Sequence, residues 1–435
     1  MWDHSVKLTP LDPWIYSKIV ANQPGLTRPE IDAWQVHKIN ETLALARGKS
    51  SFYRKHFQGL PESISKLDEL SQFPFTTPED VRRNPLQFVC VSQDEIQRVV
   101  TLQSSGTTGE PKRIYFTNTD QELTIDFFGV GMSTFTQPGD RVFILLPGAT
   151  PGSVGDLLRL GLERLGRAPI PYGPVRDPLQ ALEVLNNRQP ACLVGSPTQV
   201  LGLARRWLPG MHRPESVLLS TDYLPAAIVN ALEQIWGCQV YNHYGATEMG
   251  LGGGVDCEAH TGYHLREADL YFEVVNPLTG RPVPDGEHGE VVFSTLTRHG
   301  MPLIRYRMGD RSRFIPANCS CGTALKVLES VRGRFAGFVP LENDVLRLPD
   351  LDEALFPIPG LLNFSVTVTG ASGKTSLSIH AQMLTGTDSS ALIEQALRPI
   401  PALHGLEVNI HCSHNPQEAG SIQKRVILDK RGQDA

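Results

Sequence analysis

The stretch Ser104-Ser105-Gly106-Thr107-Thr108-Gly109-Glu110-Pro111-Lys112 places four hydroxyl side chains, two glycines and a lysine within nine consecutive positions. Glycines let a main chain approach an anion closely, and successive N–H groups then form a concave anion-binding surface. The hydroxyls add hydrogen-bond donors, and the lysine ammonium is a point charge suited to phosphate. The stretch has neither Walker A nor G-x-G-x-x-G spacing. These residues alone predict a phosphate-binding turn.

Downstream of this turn, short β-rich runs alternate with helical periodicity. The predicted strands are 141–146, 191–194, 216–219 and 238–241, and the predicted helices lie near 157–165, 178–187, 197–207 and 224–236. Alternation at this spacing favours an α/β unit with a largely parallel sheet, in which ligands collect at the loops beyond the strand ends.

The regions before and after this alternating segment have different sequence patterns. Residues 1 to about 100 are predicted to be mainly helical, with a capped helix start at Thr77. Runs at 270–275 and 290–294 flank a turn-rich stretch, which indicates antiparallel strands. We therefore predict an α/β fold with a large N-terminal domain, 1–333, whose part 255–330 is β-rich. A small mobile α+β domain, 334–435, is predicted to follow a hinge near 332–340.

Composition excludes several classes of protein. The net charge of −6 and the absence of a dense Lys/Arg run argue against nucleic-acid and membrane surfaces as partners. No apolar run approaches the roughly 20 residues that span a bilayer. The first residues, Met1 to His4, lack the layout of a signal peptide. Seven cysteines, an odd number, fit reduced thiols, so we expect a cytoplasmic protein.

Three segments together resemble the signatures of the acyl-adenylate-forming superfamily, which includes acyl-CoA synthetases, luciferases and peptide-synthetase adenylation domains. In the family's order, they are S-S-G-T-T-G-x-P-K at 104–112, Y-G-x-T-E at 244–248 and Y-R-x-G-D at 306–310. Within the superfamily the chain is most similar to phenylacetate–CoA ligases, which it resembles at 52–54, 74–77, 139–142, 296–297 and 302–307. The resemblance runs from about residue 15 to the end and weakens after 334.

The resemblance implies a role for each motif. Thr107 and Thr108 would hold the β- and γ-phosphates of ATP. Tyr244 would lie against adenine, because aromatic faces suit a planar base. Glu248 would hold Mg²⁺, a hard cation that prefers carboxylate and phosphate oxygens. Asp310 would accept hydrogen bonds from the ribose hydroxyls.

The complete set implied to bind ATP or AMP includes a wall at 220–222 and the hinge arginine. Its members are Ser104, Ser105, Gly106, Thr107, Thr108, Gly109, Lys112, Ser220, Thr221, Asp222, Asn242, His243, Tyr244, Gly245, Thr247, Glu248, Asp310 and Arg334.

The implied reaction has two steps. A carboxylate attacks the α-phosphate of ATP to give acyl-AMP and pyrophosphate, and the thiol of coenzyme A then attacks the acyl carbon. The first step joins two anions, so positioning and cationic stabilisation dominate it. The residues implied to be catalytic are Thr108, Glu248 and a C-terminal lysine, for which Lys424 is the candidate. The partners are a small carboxylic acid and coenzyme A, and the resembling family is commonly homodimeric.

Two departures from the family keep alternatives open. The hinge pattern G-R-x-D-D is replaced by residues 333–337, and the acyl-pocket stretch 147–153 differs from that of phenylacetate ligases, so the acid stays open. One alternative is an adenylating enzyme whose acceptor is a carrier-protein thiol or a cofactor hydroxyl. Another is a nucleotide-binding homologue that has lost catalysis. Residues 151–155 resemble a hydrolase nucleophile elbow but lack its first glycine, so a hydrolase is excluded.

The remaining motif is a set of cysteines. The pairs Cys257-x-x-His260 and Cys319-x-Cys321 supply three thiols and an imidazole, which predicts a closed structural zinc site. His264 is the alternative fourth ligand. Some phenylacetate–CoA ligase relatives carry a similar pattern. With no ligand position left open, the metal is assigned to stability.

Overall fold

A computed structural model describes residues 6–19, 25–102, 111–342, 344–371, 374–384, 389–414 and 425–431. In these ranges the helices are α1 (Leu11–Ile19), α2 (Arg28–Lys49), α3 (Ser51–His56), α4 (Pro78–Arg83), α5 (Asn118–Met132), α6 (Val154–Arg164), α7 (Pro178–Arg188), α8 (Pro197–Ala204), α9 (Ala226–Trp236), α10 (Leu348–Leu355) and α11 (Ser390–Leu397).

The strands of the same ranges are β1 (Ile96–Leu102), β2 (Lys112–Thr117), β3 (Arg141–Ile144), β4 (Ala168–Pro171), β5 (Cys192–Gly195), β6 (Ser216–Leu219), β7 (Gln239–Tyr244), β8 (Gly254–Val255), β9 (Tyr263–Leu265), β10 (Leu270–Val275), β11 (Gly289–Thr295), β12 (Tyr306–Ser312), β13 (Val327–Leu328), β14 (Phe338–Pro340), β15 (Val345–Arg347), β16 (Leu361–Ala371), β17 (Lys374–Met383), β18 (Glu407–Ser413) and β19 (Ile427–Asp429). No helix of the described chain combines the length and the apolar character needed to cross a membrane.

The chain folds into two compact units. The first comprises 1–138, 149–167 and 242–331, and the second comprises 139–148, 168–241 and 332–435.

The second unit contains the predicted α/β layer. Strand β3 pairs in parallel with β4 and β5, and β5 pairs in parallel with β6. Helices α7, α8 and α9 follow these strands, as the sequence alternation predicted, and the α/β class is confirmed. Strand β4 was missed, because its two prolines weaken a strand signal; it lies at the end of the strand order, where proline is tolerated.

Residues 332–435 form the rest of the second unit. Their four-stranded sheet has the order β18-β17-β16-β19, and its apolar side chains share one hydrophobic core with β5, β6 and the helices around them. The carboxylate of Glu353 accepts hydrogen bonds from the N–H groups of Ala226 (2.8 Å) and Ala227 (2.9 Å) at the start of α9, where a negative charge is favourable. The chain enters this unit at residue 332, within the predicted hinge; the boundary and mobility of a separate C-terminal domain stay predictions.

The first unit contains the predicted antiparallel strands. Strand β11 lies between β10 and β12 and pairs antiparallel with both. The Thr77 hydroxyl accepts a hydrogen bond from the Asp80 N–H and caps α4, as predicted. Strand β2 pairs antiparallel with β1 and begins at Lys112, so this sheet positions the last residue of the 104–112 motif.

Candidate active site

Part of the predicted site lies outside the described residues. The loop residues Ser104, Ser105, Gly106, Thr107, Thr108 and Gly109 belong to it, as does Lys424. The structure describes Lys112 and the other predicted site residues.

Lys112 and Glu248 meet in the first unit. The Lys112 ammonium donates a hydrogen bond to Oε1 of Glu248 and another to the Tyr306 hydroxyl, which lies 3.1 Å away. The Tyr306 hydroxyl in turn donates to the same carboxylate oxygen at 3.2 Å. Glu248 and Tyr306 follow Lys112 by 136 and 194 positions in the sequence. The three predicted motifs therefore meet through Lys112, Glu248 and Tyr306, which we call the carboxylate triad.

The turn that follows β7 positions Glu248. A 3-10 turn over Thr247–Met249 carries it, and the Glu248 side chain is buried. A Cβ atom on Gly245 would lie 2.1 Å from the Leu251 carbonyl oxygen, a distance that no side chain tolerates. Glycine at this position lets the chain fold back tightly on itself, which explains its place in the Y-G-x-T-E motif.

Tyr244 and Asp310 form a second contact of the same unit. The Tyr244 hydroxyl donates to Oδ2 of Asp310 at 2.9 Å, and the Tyr244 ring stacks on Tyr263 with centroids 5.4 Å apart. Asp310 lies on β12 four residues after Tyr306, and both side chains are buried. Gly309 between them has φ +73°, a conformation that favours glycine. One strand thus aims Tyr306 at Glu248 and Asp310 at Tyr244.

The predicted wall at 220–222 lies at the end of β6 in the second unit. Thr221 has φ +78°, which is rare for a β-branched residue, and such strain is concentrated at functional sites. Asp222 accepts a hydrogen bond from the Arg425 N–H at 3.4 Å, and the Arg425 guanidinium makes two further bonds, of 2.5 and 2.9 Å, to Asp352. Arg334 is exposed and immediately precedes the 3-10 turn Phe335–Gly337.

Two phenylalanine rings lie beside His243. Asn242 and His243 precede Tyr244 on β7, and the His243 ring lies 6.2 Å from the Phe127 ring and 5.8 Å from the Phe128 ring, between centroids. Burial lowers the pKa of His243 to about 4, because the imidazolium loses its hydration. The imidazole is therefore neutral in the folded protein at neutral pH.

This shift predicts a pH dependence of stability. Since the pKa is about 4 in the folded state and ordinary in the unfolded state, the unfolded chain binds the proton first, and stability is lost as pH falls from about 6.5 towards 4. Between these pH values, the free energy of unfolding should depend less steeply on pH in His243→Gln than in the wild type. The difference in slope should be below ~1.4 kcal/mol per pH unit, the limit for one proton. Urea denaturation from pH 4.5 to 7.5 measures both slopes. If the wild type and His243→Gln have the same slope, His243 is not held neutral in the folded protein.

The thiols form a cluster within the first unit. Cys257, Cys319, Cys321 and His264 are buried, and their ligand atoms lie within 4.8 Å of one another. The Cys257 and Cys319 sulfurs are 3.7 Å apart, and Nε2 of His264 is 3.2 Å from the Cys321 sulfur. Hydrogen bonds from Cys257 and His264 lower the pKa of Cys321, which favours its thiolate.

The structure corrects the choice of His260 as the fourth group of this cluster. Nδ1 of His260 is hydrogen-bonded to Asp256 at 2.9 Å, and the residue has φ +49° in the turn after Cys257. His264 lies beyond that turn on β9, a strand that pairs with β13, and it joins the thiols instead. The C-x-x-H spacing predicted the wrong histidine. The chain turns tightly after Cys257, and after this turn His264, not His260, lies beside the sulfurs.

Sequence reasoning assigned no role to the Tyr306 side chain. The tyrosine begins the Y-R-x-G-D motif, so its position was noted, but only the pairing of β11 with β12 and the turn at Glu248 show that its hydroxyl reaches the carboxylate.

Known proteins resemble this chain along most of its length. Residues 54–297 match the model of a family described as AMP-binding enzyme. The chain is 27% identical to a phenylacetate–coenzyme A ligase of Escherichia coli over 417 residues, 90% of this chain and 93% of the relative. It is 30% identical to one of Aromatoleum evansii over 307 residues, 67% and 68% of the two chains. A solved 2-hydroxyisobutyryl-CoA ligase in complex with an acyl-AMP shares the fold, with a TM-score of 0.78, 20% identity and 94% coverage of both chains.

Proposed function

Since the chain belongs to the AMP-binding enzyme family, we propose that it is an AMP-forming carboxylate–CoA ligase. Membership of the family confirms the resemblance drawn from the three motifs. The observation that carries the proposal is the carboxylate triad, in which a half-buried lysine, a buried glutamate and a buried tyrosine from three motifs meet.

The donor set of the triad suits a metal–nucleotide complex. The Glu248 carboxylate is a hard oxygen ligand of the kind that Mg²⁺ prefers, and Mg²⁺ bound there would neutralise phosphate charge. Lys112 is the last residue of the predicted phosphate-binding stretch and begins β2, and its ammonium is proposed to contact phosphate oxygens. Asp310, oriented by the Tyr244 hydroxyl, is proposed to accept the ribose hydroxyls.

The proposed reaction uses these groups for positioning. A carboxylate oxygen of the acid attacks the α-phosphorus of ATP, the bond to the β-phosphate breaks, and pyrophosphate leaves with acyl-AMP formed. The thiol sulfur of coenzyme A then attacks the acyl carbon, AMP leaves and the thiol proton is released. Lys112 and Lys424 are proposed to offset the negative charge of the first step. Lys424 and Thr108, which are outside the described residues, keep their proposed catalytic roles.

Two assays test the proposal. Pyrophosphate exchange into ATP, screened over aryl and aliphatic acids, reports the first step, and thioester formation with coenzyme A reports the second. We expect acid-dependent exchange and thioester formation with one class of acid. The absence of exchange with every acid would favour a homologue that has lost catalysis. Exchange without thioester would favour a carrier-protein thiol or a cofactor hydroxyl as acceptor.

The thiol cluster is proposed to hold a structural Zn²⁺. Sulfur ligands of a tetrahedral zinc, at ~2.3 Å from the metal, are ~3.8 Å apart, and the Cys257 and Cys319 sulfurs are separated by 3.7 Å. Three thiolates and one imidazole complete four ligands, so the proposed role is stability. The Asp12 carboxylate accepts hydrogen bonds from the Thr323 hydroxyl and the Ala324 N–H, so the metal would also secure the packing of α1.

Metal analysis of four variants tests the zinc proposal. The wild type should contain about one zinc per chain, and Cys321→Ala and His264→Ala should lose most of it and unfold at lower temperature. His260→Ala and Cys238→Ala, a cysteine buried elsewhere, are the matched controls and should keep the metal. Loss of zinc from His260→Ala but not from His264→Ala would contradict the assignment, and a zinc-free wild type would refute the site.

The odd number of cysteines, seven, suits reduced thiols, and the enzyme is proposed to act in the reducing cytoplasm. A homodimer stays a prediction from the resemblance.

A further inference from the structure

Arg298 carries a guanidinium into the interior of the first unit, where the residue is 6% exposed. Nη1 donates to the main-chain carbonyl of Glu248 and Nη2 to that of Tyr115, both at 2.8 Å, and the group lies 4.3 Å from the centroid of the Phe116 ring. Among the described residues no ion pair joins it to a carboxylate. Burial lowers the pKa of Arg298, while the nearby charges of Asp120 and Glu248 oppose that shift.

The two carbonyls belong to two of the three segments that build the carboxylate triad. Tyr115 lies on β2, three residues after Lys112, and Glu248 lies in the 3-10 turn after β7. The guanidinium fork bonds both segments at once, so it fixes the distance between the main chain that carries Lys112 and the main chain that carries Glu248. A lysine ammonium is a point charge without this planar fork.

Burial of a guanidinium is costly, and two neutral carbonyls do not offset a full charge. The cost is understandable if the charge serves the site, because a fixed positive charge behind the Glu248 turn offsets the negative charge that gathers there with a nucleotide.

We propose that Arg298 is a positioning residue for the metal–nucleotide site, holding the Glu248 turn against β2 so that the carboxylate faces Lys112. The proposal rests on the function proposed above. Residues that orient a metal ligand typically contribute about 10- to 100-fold to metal affinity.

The test compares Arg298→Met, Arg298→Lys and a matched control. The control is Arg167→Met, since Arg167 is also buried and its guanidinium donates to the carbonyls of Leu165 (2.7 Å) and Thr136 (2.8 Å). Mn²⁺ binding to the enzyme–ATP complex, followed by electron paramagnetic resonance, is the main readout. Melting temperature and the Mg²⁺ dependence of pyrophosphate exchange are measured beside it.

We expect Arg298→Met to weaken Mn²⁺ binding by at least about tenfold, Arg298→Lys to recover part of the loss, and Arg167→Met to lower only the melting temperature. If Arg298→Met melts lower, as Arg167→Met does, but binds Mn²⁺ as the wild type does, Arg298 is merely structural and the proposal fails. If the wild type binds Mn²⁺ and ATP but shows no pyrophosphate exchange, only the proposed ligase function fails. The Mn²⁺ affinities of the variants then still decide whether Arg298 is a positioning residue. A wild type that binds no Mn²⁺ with ATP overturns both.

Discussion

Replacing Glu248 by glutamine is expected to lower the rate of acid-dependent pyrophosphate exchange by about 100- to 1,000-fold, the usual effect of removing one charge-stabilising group from an active site. Glutamine preserves the size of the side chain and leaves an amide oxygen to accept from Lys112 and Tyr306. It removes the negative charge that a hard cation requires. The loss should therefore be chemical, and a higher Mg²⁺ concentration should restore part of the rate.

The matched control is Glu273→Gln. Glu273 is a buried carboxylate of the same unit, paired with Arg305 at 2.9 Å and absent from the proposed site. This variant should lose stability yet exchange pyrophosphate at nearly the wild-type rate when folded. A rate for Glu248→Gln within about threefold of the wild type would remove Glu248 from the catalytic set, because a loss so small is far below that expected of a charge-stabilising group.

Apart from β4, the sequence predicted the α/β layer of the second unit well because its elements signal locally. The apolar runs at 216–219 and the helical periodicity at 178–187 need no distant partner to be recognised, and the structure has β6 and α7 at these places. The antiparallel pair β10 and β11 was equally local, since a turn-rich stretch joins the two strands. Local periodicity and turn residues account for these successes.

The contacts inside the site could not be predicted in the same way. The motifs named Lys112 and Glu248, but that the two side chains touch depends on where a strand and a turn 136 residues apart meet. Arg298 gave no local signal at all, because its partners are main-chain carbonyls, which every residue has. The preference for His260 over His264 as the fourth ligand was wrong for a related reason. The direction of the turn after Cys257 determines which histidine reaches the sulfurs, and residue spacing does not determine that direction.

The largest effect on stability is expected at Arg305. Its side chain is 2% exposed, and its guanidinium makes two hydrogen bonds to the Glu273 carboxylate (2.9 and 3.1 Å). The remaining donors reach the carbonyls of Ser71, Phe73 and Gly280, so one residue joins three segments. Arg305→Met should lower the free energy of unfolding by about 3–5 kcal/mol, because it leaves a buried carboxylate without its counter-charge.

A double variant, measured by urea denaturation, distinguishes the contribution of the Arg305–Glu273 ion pair from that of the other contacts of Arg305. Burial raises the pKa of Glu273 and the Arg305 charge opposes that rise, so removal of Arg305 should raise the pKa further, and the loss in Arg305→Met should shrink as pH falls and the carboxylate takes up a proton. Adding Glu273→Gln removes the stranded charge and should restore part of the stability at neutral pH. If the double variant is no more stable than Arg305→Met, the three carbonyl contacts, and not the ion pair, dominate the contribution of Arg305.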